Sequence, residues 1–152
     1  MIVYRLGKTR YAWDLTGEGA RLNGGRWNHK RTPCIYAAES RSLAVLEYTV
    51  NVNIDDIPRA LSFTYLDIPD TGILAIAEAD LPGNWKQVPS PSSTKDFGTN
   101  LLKVAKSLVI KIQSSVVPNE YNYLINPAHP DIKNCKIKAV VDFAYDVRIK
   151  LM

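Results

Sequence analysis

Cysteine and histidine are both scarce, with two of each in 152 residues. Cys34 and Cys135 lie far apart and outside any CxxC pair, so the pattern predicts free buried thiols and no disulfide. A zinc site would need Cys34, Cys135, His29 and His129 to converge from unrelated loops, and no bound metal is expected. Neither histidine accompanies a serine or cysteine in a nucleophile setting, which leaves triad hydrolysis without support. Long apolar runs are missing as well. Stretches such as Ile73 to Ala77 reach about five residues, where a membrane span needs about 20. The opening Met1-Ile-Val-Tyr-Arg-Leu-Gly-Lys8 has no secretory pattern, so a soluble cytoplasmic protein without membrane association is expected. No polybasic tract occurs either, the densest group being His29-Lys30-Arg31.

The remaining composition is that of a packed protein. Hydrophobic residues make up 46% and charged residues 22%, which excludes a disordered or collagen-like chain. The length suits one domain, residues 1–152, and is too short for two ordinary cores. Nineteen Lys and Arg against fifteen Asp and Glu give a net charge of +4, enough to attract phosphates without demanding nucleic acid.

Along the chain, Ile2 to Leu6 reads as a strand, followed by a glycine-rich loop from Gly7 to Asn28. Such a long loop is usually functional, because its ordering must be offset by something it binds or buries. Cys34 to Ala38 reads as a buried strand. Ser40 is an N-cap for a helix to about Asn51, whose stripe is Leu43, Leu46 and Val50, with Glu47 on the same stripe. Pro58 to Ile68 and Ile73 to Ala77 read as strands around a Pro69-Asp70-Thr71-Gly72 turn. After a breaker-rich connection, Ser93 or Thr94 caps a helix to about Ser107, which Gly98 weakens. Strands follow at Leu108 to Ile112, Asn122 to Ile125 and Ile137 to Phe143, with a rigid turn at Asn126 to Pro130. Trp13, Trp27 and Trp85 are expected to pack loops onto the core, and His129 to serve a turn.

Two nucleotide motifs fail on spacing. Gly7-Lys8-Thr9 imitates a phosphate-binding loop, but the required earlier glycine is Ile2. Gly17-Glu18-Gly19 lacks the spacing and the strand-turn-helix context of a dinucleotide fingerprint.

Three segments do carry a joint pattern: Gly17-Glu-Gly-Ala-Arg-Leu-Asn-Gly-Gly-Arg-Trp-Asn28, Ala37-Ala-Glu-Ser40 leading to Leu46-Glu47, and Ser114-Ser-Val-Val-Pro118 followed by Asn122-Tyr-Leu-Ile-Asn-Pro127. Together they resemble the RES domain, a family named for an Arg, a Glu and a Ser. The matching positions are Arg26, Glu47 and Ser114, with Ser115 the other candidate for the serine. The resemblance runs from Tyr4 to nearly the C-terminus. It implies an α+β single domain with a mixed, mainly antiparallel β core and flanking helices, similar to ADP-ribosyltransferases. It also implies the toxin of a bacterial toxin-antitoxin pair that destroys NAD by cleaving the nicotinamide-ribose bond, with water or phosphate as acceptor. NAD is then a substrate and no cofactor is expected. The implied partners are an Xre-like antitoxin and a second copy of the chain as a homodimer, with nucleic acid reached only through the antitoxin.

These side chains suit such chemistry. Arg26 has the planar fork that holds phosphate oxygens. Nicotinamide leaves as a neutral molecule from an already cationic bond, so one carboxylate, Glu47, suffices to stabilise the charge developing at the anomeric carbon. Tyr36 offers an aromatic face to nicotinamide. Ser114 orients the ribose or Glu47, and Asn126 braces the same wall as a substrate-binding residue. Blander readings stand beside each: Arg26 stacked on Trp27, Glu47 paired with Arg41 or Arg21, Tyr36 filling the core and Ser114 ending a turn. Transfer of ADP-ribose to a protein or nucleotide is a second enzymatic reading. An RNA-binding or ribonuclease-type toxin, motivated by the basic charge, is a third.

Overall fold

The computed structural model describes residues 1–150, Ile54 as backbone only. Seven strands form one sheet: β1 (Ile2–Lys8), β2 (Ile35–Ala38), β3 (Leu61–Asp67), β4 (Leu74–Ala75), β5 (Val109–Gln113), β6 (Tyr121–Ile125) and β7 (Lys136–Phe143). Their order is β4-β5-β6-β2-β1-β3-β7. Every neighbouring pair is antiparallel except β4 and β5. Three α-helices accompany them: α1 (Glu18–Asn23), α2 (Arg41–Asn51) and α3 (Ser92–Val104). The expected α+β single domain is what forms. Among the described residues, no helix is long and apolar enough to cross a membrane.

Side-chain alternation along β2 explains the layering. Tyr36 and Ala38 point to one face, where α3 covers a cluster with Leu102, Ile110, Ile112 and Leu124, and α2 covers another with Leu6, Leu43, Leu61 and Phe63. Ile35 and Ala37 point to the other face, joining Val3, Leu66, Val109 and Ile125. Each fully buried Leu or Ile contributes about 1.5–3 kcal/mol relative to exposure. Cys34 and Cys135 are free, buried thiols in different clusters.

The sheet has a seam. β1 pairs with β3 over seven residues, but with β2 only at Tyr4↔Ala38. Tyr4 to Leu6 of β1 and Tyr36 to Ala38 of β2, on the two sides of this short pairing, floor a cleft that α2 and α3 also line. At the far edge, β7 carries Lys136 and Lys138 and a register shift opposite Tyr65/Leu66. A bulge and two lysines on an exposed edge discourage pairing with another strand.

Ser40 caps α2 as expected, its Oγ accepting from the Leu43 N–H at 3.0 Å. Removing that acceptor in Ser40→Ala should cost about 1 kcal/mol, read as a melting midpoint lower by about 2–4 °C. The expected stripe is rotated, however. Leu43 is buried, whereas Leu46 and Val50 are 38% and 56% exposed. The face turned to the cleft is Ala44, Glu47 and Tyr48, at 3- and 4-residue spacing, with the small Ala44 lying against the sheet and the exposed Val50 and Asn51 at the rim. Glu47 therefore shares its face with Ala44 rather than with Leu46.

The expected loop from Gly7 to Asn28 also holds more structure. β1 runs on to Lys8, a 3₁₀ turn covers Thr9–Tyr11, and α1 follows. Asp14 seeds α1, its Oδ2 accepting from the Gly17 and Glu18 N–H groups at 3.2 and 3.4 Å. Arg5 fastens the segment to the sheet by donating to the Ala12 and Asp14 carbonyls at 3.0 and 2.8 Å. Trp27 and Trp85 are buried as expected, but Trp13 is 67% exposed. The segment is held by backbone bonds to Arg5, so it does not need the indole. His129 caps the Pro130–Asn134 turn, its Nδ1 accepting from the Asp131 N–H at 3.0 Å, which is the turn role expected of it.

Candidate active site

The cleft encloses about 670 Å³. Two cations, Arg26 and Lys95, and a single carboxylate, Glu47, line it; Arg5 borders it from β1 while its guanidinium turns to the opposite face of the sheet. Strand polarity brings the parts together. β2 ends at Ala38, directly before α2, and its antiparallel neighbour β6 begins there, with Ala38↔Asn122 in register. β5 arrives at the same end, with Ile112↔Asn122 in register, so Ser114 follows beside Asn122. Glu47 descends from α2 onto both.

The contacts are short and specific. Ser114 Oγ donates to Glu47 Oε1 at 2.6 Å, and Asn122 Nδ2 donates to the same oxygen at 2.7 Å. Ser114 is 1% exposed and its Oγ accepts from the Val116 and Val117 N–H groups at 3.0 and 3.1 Å. Those two donors fill its lone pairs, so its proton is directed at Glu47. Among the described residues, Glu47 Oε2 accepts no hydrogen bond. One oxygen is thus anchored and the other is free. Ser114 is the serine tied to the acid, while Ser115 lines the cleft wall.

Arg26 lies on the opposite wall. Its Nη1 donates to the Trp85 and Gln87 carbonyls at 2.7 and 3.0 Å, and Ser90 Oγ donates to its own carbonyl at 2.7 Å. Burial lowers its pKa, with the Glu47 charge acting against that shift. It stays a cation, given how high an arginine starts. The adjoining Trp27 is buried against Trp85, rings 5.9 Å apart and 28° from parallel, and against Phe97. Arg26 is therefore no mere partner of Trp27. Neither alternative pairing of Glu47 forms, since Arg21 bonds Glu18 at 2.6 Å and Arg41 donates to Tyr65 Oη at 3.3 Å.

Tyr36 lines the cleft between these walls. Its hydroxyl donates to Asn28 Oδ1 at 2.6 Å and accepts from the Trp27 N–H at 3.0 Å, and burial raises its pKa. The ring is thus both cleft wall and strut for the Gly24–Asn28 loop. α3 backs that loop from behind. Thr99 Oγ1 accepts from the His29 N–H at 3.0 Å, and Lys95 Nζ donates to the Gly25 carbonyl at 2.5 Å.

Arg26, Tyr36, Glu47 and Ser114 thus converge, whereas Asn126 does not. Asn126 sits past the far end of β6, about 13 Å along the strand from Asn122. It is 1% exposed, its Nδ2 donates to the Leu102 carbonyl at 2.8 Å and its Oδ1 accepts from the Ala128 N–H at 3.1 Å. It ties α3 to a turn and has no group left for a ligand. Asn122, four residues earlier, takes the place expected of it. Residues i and i+4 of a strand share a face, so alternation alone does not separate them; the direction of β6 relative to α2 does. Asn28 and Lys95 were likewise missed, the first hidden within the Gly-Gly-Arg-Trp-Asn motif and the second in an ordinary helical turn.

The RES domain family matches residues 2–147. This chain belongs to the RES domain family. Among its RES relatives, "Toxin Res" of Yersinia enterocolitica is 38% identical over 99% of this chain and 100% of that protein. "Prs ADP-ribosylating toxin" of a Sphingobium species is 38% identical over 93% of this chain and 90% of that one. In the crystal structure of the M. tuberculosis MbcT-MbcA toxin-antitoxin complex, a chain 20% identical aligns with a TM-score of 0.74, covering 94% of this chain and 84% of that one. At that identity the likeness is one of fold. Of the residues expected from the resemblance, Glu47 is the anchored acid, Ser114 is its anchor and Arg26 is the facing cation.

Proposed function

We propose that this RES domain is a toxin that consumes NAD by breaking the bond between nicotinamide and ribose. The observation that carries the reading is Glu47, a lone carboxylate with one oxygen anchored and one free, in a cleft whose other charged side chains, Arg26 and Lys95, are cations. Arg26 grips phosphoryl oxygens and Tyr36 forms the wall against nicotinamide. The electrons of the C–N bond leave with nicotinamide, which departs neutral, and positive charge develops at the anomeric carbon. Glu47 stabilises that charge and accepts a ribose hydroxyl proton in a hydrogen bond. Water then adds at the anomeric carbon and releases a proton, giving ADP-ribose; phosphate adding in its place would give the corresponding ribosyl phosphate. The toxin-antitoxin complex supports an antitoxin partner; in this proposal that partner is Xre-like, covers the cleft and holds the toxin idle as a homodimer.

Purified protein free of antitoxin should release nicotinamide from NAD, and a strong phosphate dependence would identify a phosphorylase. No release in either buffer would overturn this function. A second reading, transfer of ADP-ribose to a macromolecule, is favoured by the Sphingobium relative's name. It predicts radiolabel from adenine-labelled NAD on a partner, with nicotinamide release that depends on that partner.

Ser114 acts through Glu47. Ser114→Ala would leave Oε1 with Asn122 alone, and a carboxylate misplaced by a fraction of an ångström should lower kcat by about 10- to 100-fold with KM nearly unchanged. Steady-state kinetics checks this, and partial recovery in Ser114→Thr would tie the loss to the hydroxyl.

A further inference from the structure

Lys95 has no part in the chemistry above, yet with Arg26 it is one of the two cations whose charge faces the cleft. It lies in the first turns of α3, half-buried, and one ammonium proton is used on the Gly25 carbonyl. Two protons remain. Arg26, next along the chain from Gly25, also meets only carbonyl oxygens, through Nη1, so its Nε and Nη2 have no partner among the described residues. Neither cation is paired with a carboxylate among those residues. Lys95 holds the Gly25 carbonyl, the peptide group that leads directly into Arg26, so the two side chains share one wall of the cleft, and burial and the Arg26 charge both lower the Lys95 pKa. Holding two like charges together in a half-buried wall costs free energy, and an anion between them would offset that cost.

We propose that Lys95 is an anion-binding residue, closing with Arg26 a two-cation clamp on the phosphoryl oxygens of the substrate's diphosphate bridge. A diphosphate diester carries one charge on each phosphate, and the clamp offers one cation to each. Arg26 supplies the planar fork and Lys95 the point charge. The choice of a dinucleotide's diphosphate rests on the NAD reading above; the clamp itself does not.

The test is calorimetric titration of the full chain with inorganic pyrophosphate and, separately, orthophosphate, using wild type, Lys95→Met, Lys95→Gln and Lys95→Arg. Pyrophosphate affinity should fall on the order of tenfold in Lys95→Met and Lys95→Gln and stay within about threefold in Lys95→Arg. KM for NAD should rise in parallel, with kcat changed far less. Lys95→Gln keeps a donor for the Gly25 carbonyl, so a lysine serving only as a strut would tolerate it; wild-type affinity in that variant overturns the proposal. Absence of pyrophosphate binding by wild type overturns it too, as does orthophosphate binding more tightly at the Lys95-dependent site. If Lys95→Met fails to fold, the Gln and Arg variants decide. Lys95-dependent pyrophosphate binding without NAD turnover would leave the clamp standing and remove the NAD reading. Turnover with Lys95-independent binding would do the reverse.

Discussion

Replacing Glu47 with glutamine should abolish nicotinamide release, lowering kcat by on the order of 10²–10³-fold or more, with the melting midpoint within about 2 °C of wild type. The substitution is unusually clean because both protein donors, Ser114 Oγ and Asn122 Nδ2, meet the same oxygen, Oε1. A glutamine amide oxygen can accept both, while its NH₂ takes the place of the free Oε2. Position and packing are kept, and only the negative charge is lost. Release measured beside a thermal melt separates chemistry from folding. An active Glu47→Gln protein would show that the charge is not what lowers the barrier, and the mechanism would fall.

Gly98→Ala should be the most damaging single methyl in the chain. Helix propensity favours alanine over glycine by about 1 kcal/mol, so on local grounds the change should stabilise α3. Packing decides otherwise. A Cβ at residue 98 would lie 2.0 Å from the Trp27 carbonyl oxygen and 2.7 Å from Trp27 Cβ. Neither can yield, because Trp27 is clamped between Trp85 and Phe97 and its N–H is bonded to Tyr36. We expect a net loss of about 1–3 kcal/mol or more, a melting midpoint lower by several degrees, and weakened NAD turnover as the Arg26 loop is pushed from α3. A Gly98→Ala protein as stable and active as wild type would mean that α3 does not brace the loop.

Gly98 also marks where sequence reading stops. Seen locally it is a flaw in a helix; in the fold it is the only residue type that lets Trp27 lie on α3. All seven strands and the Ser40 cap were legible because alternation and capping act over a few residues. So was the grouping of Arg26, Tyr36, Glu47 and Ser114, through family resemblance and not through any periodic signal. The rotation of α2 was not legible. Leu46 and Val50 are as apolar as the residues that do face inward, and only the tertiary position of the seam selects Ala44 and Glu47. That Asn122 and not Asn126 meets the acid was hidden for a related reason. Which end of β6 meets α2 is a property of topology, set by antiparallel pairing with β2 and not by composition. Helix α1 escaped notice because glycines mask its short span, and its start depends on an Asp14 carboxylate outside the helix.

Glu47 and the groups that hold it stand 67 and 75 residues apart in the chain. During synthesis, therefore, Arg26, Tyr36 and Glu47 leave the ribosome long before the strands that anchor the acid. A growing chain that already carries Arg26, Tyr36 and Glu47 has no oriented carboxylate until β5 and β6 have emerged and paired. Orientation of the acid is therefore among the last things the folding chain completes, whatever the order in which its other parts settle.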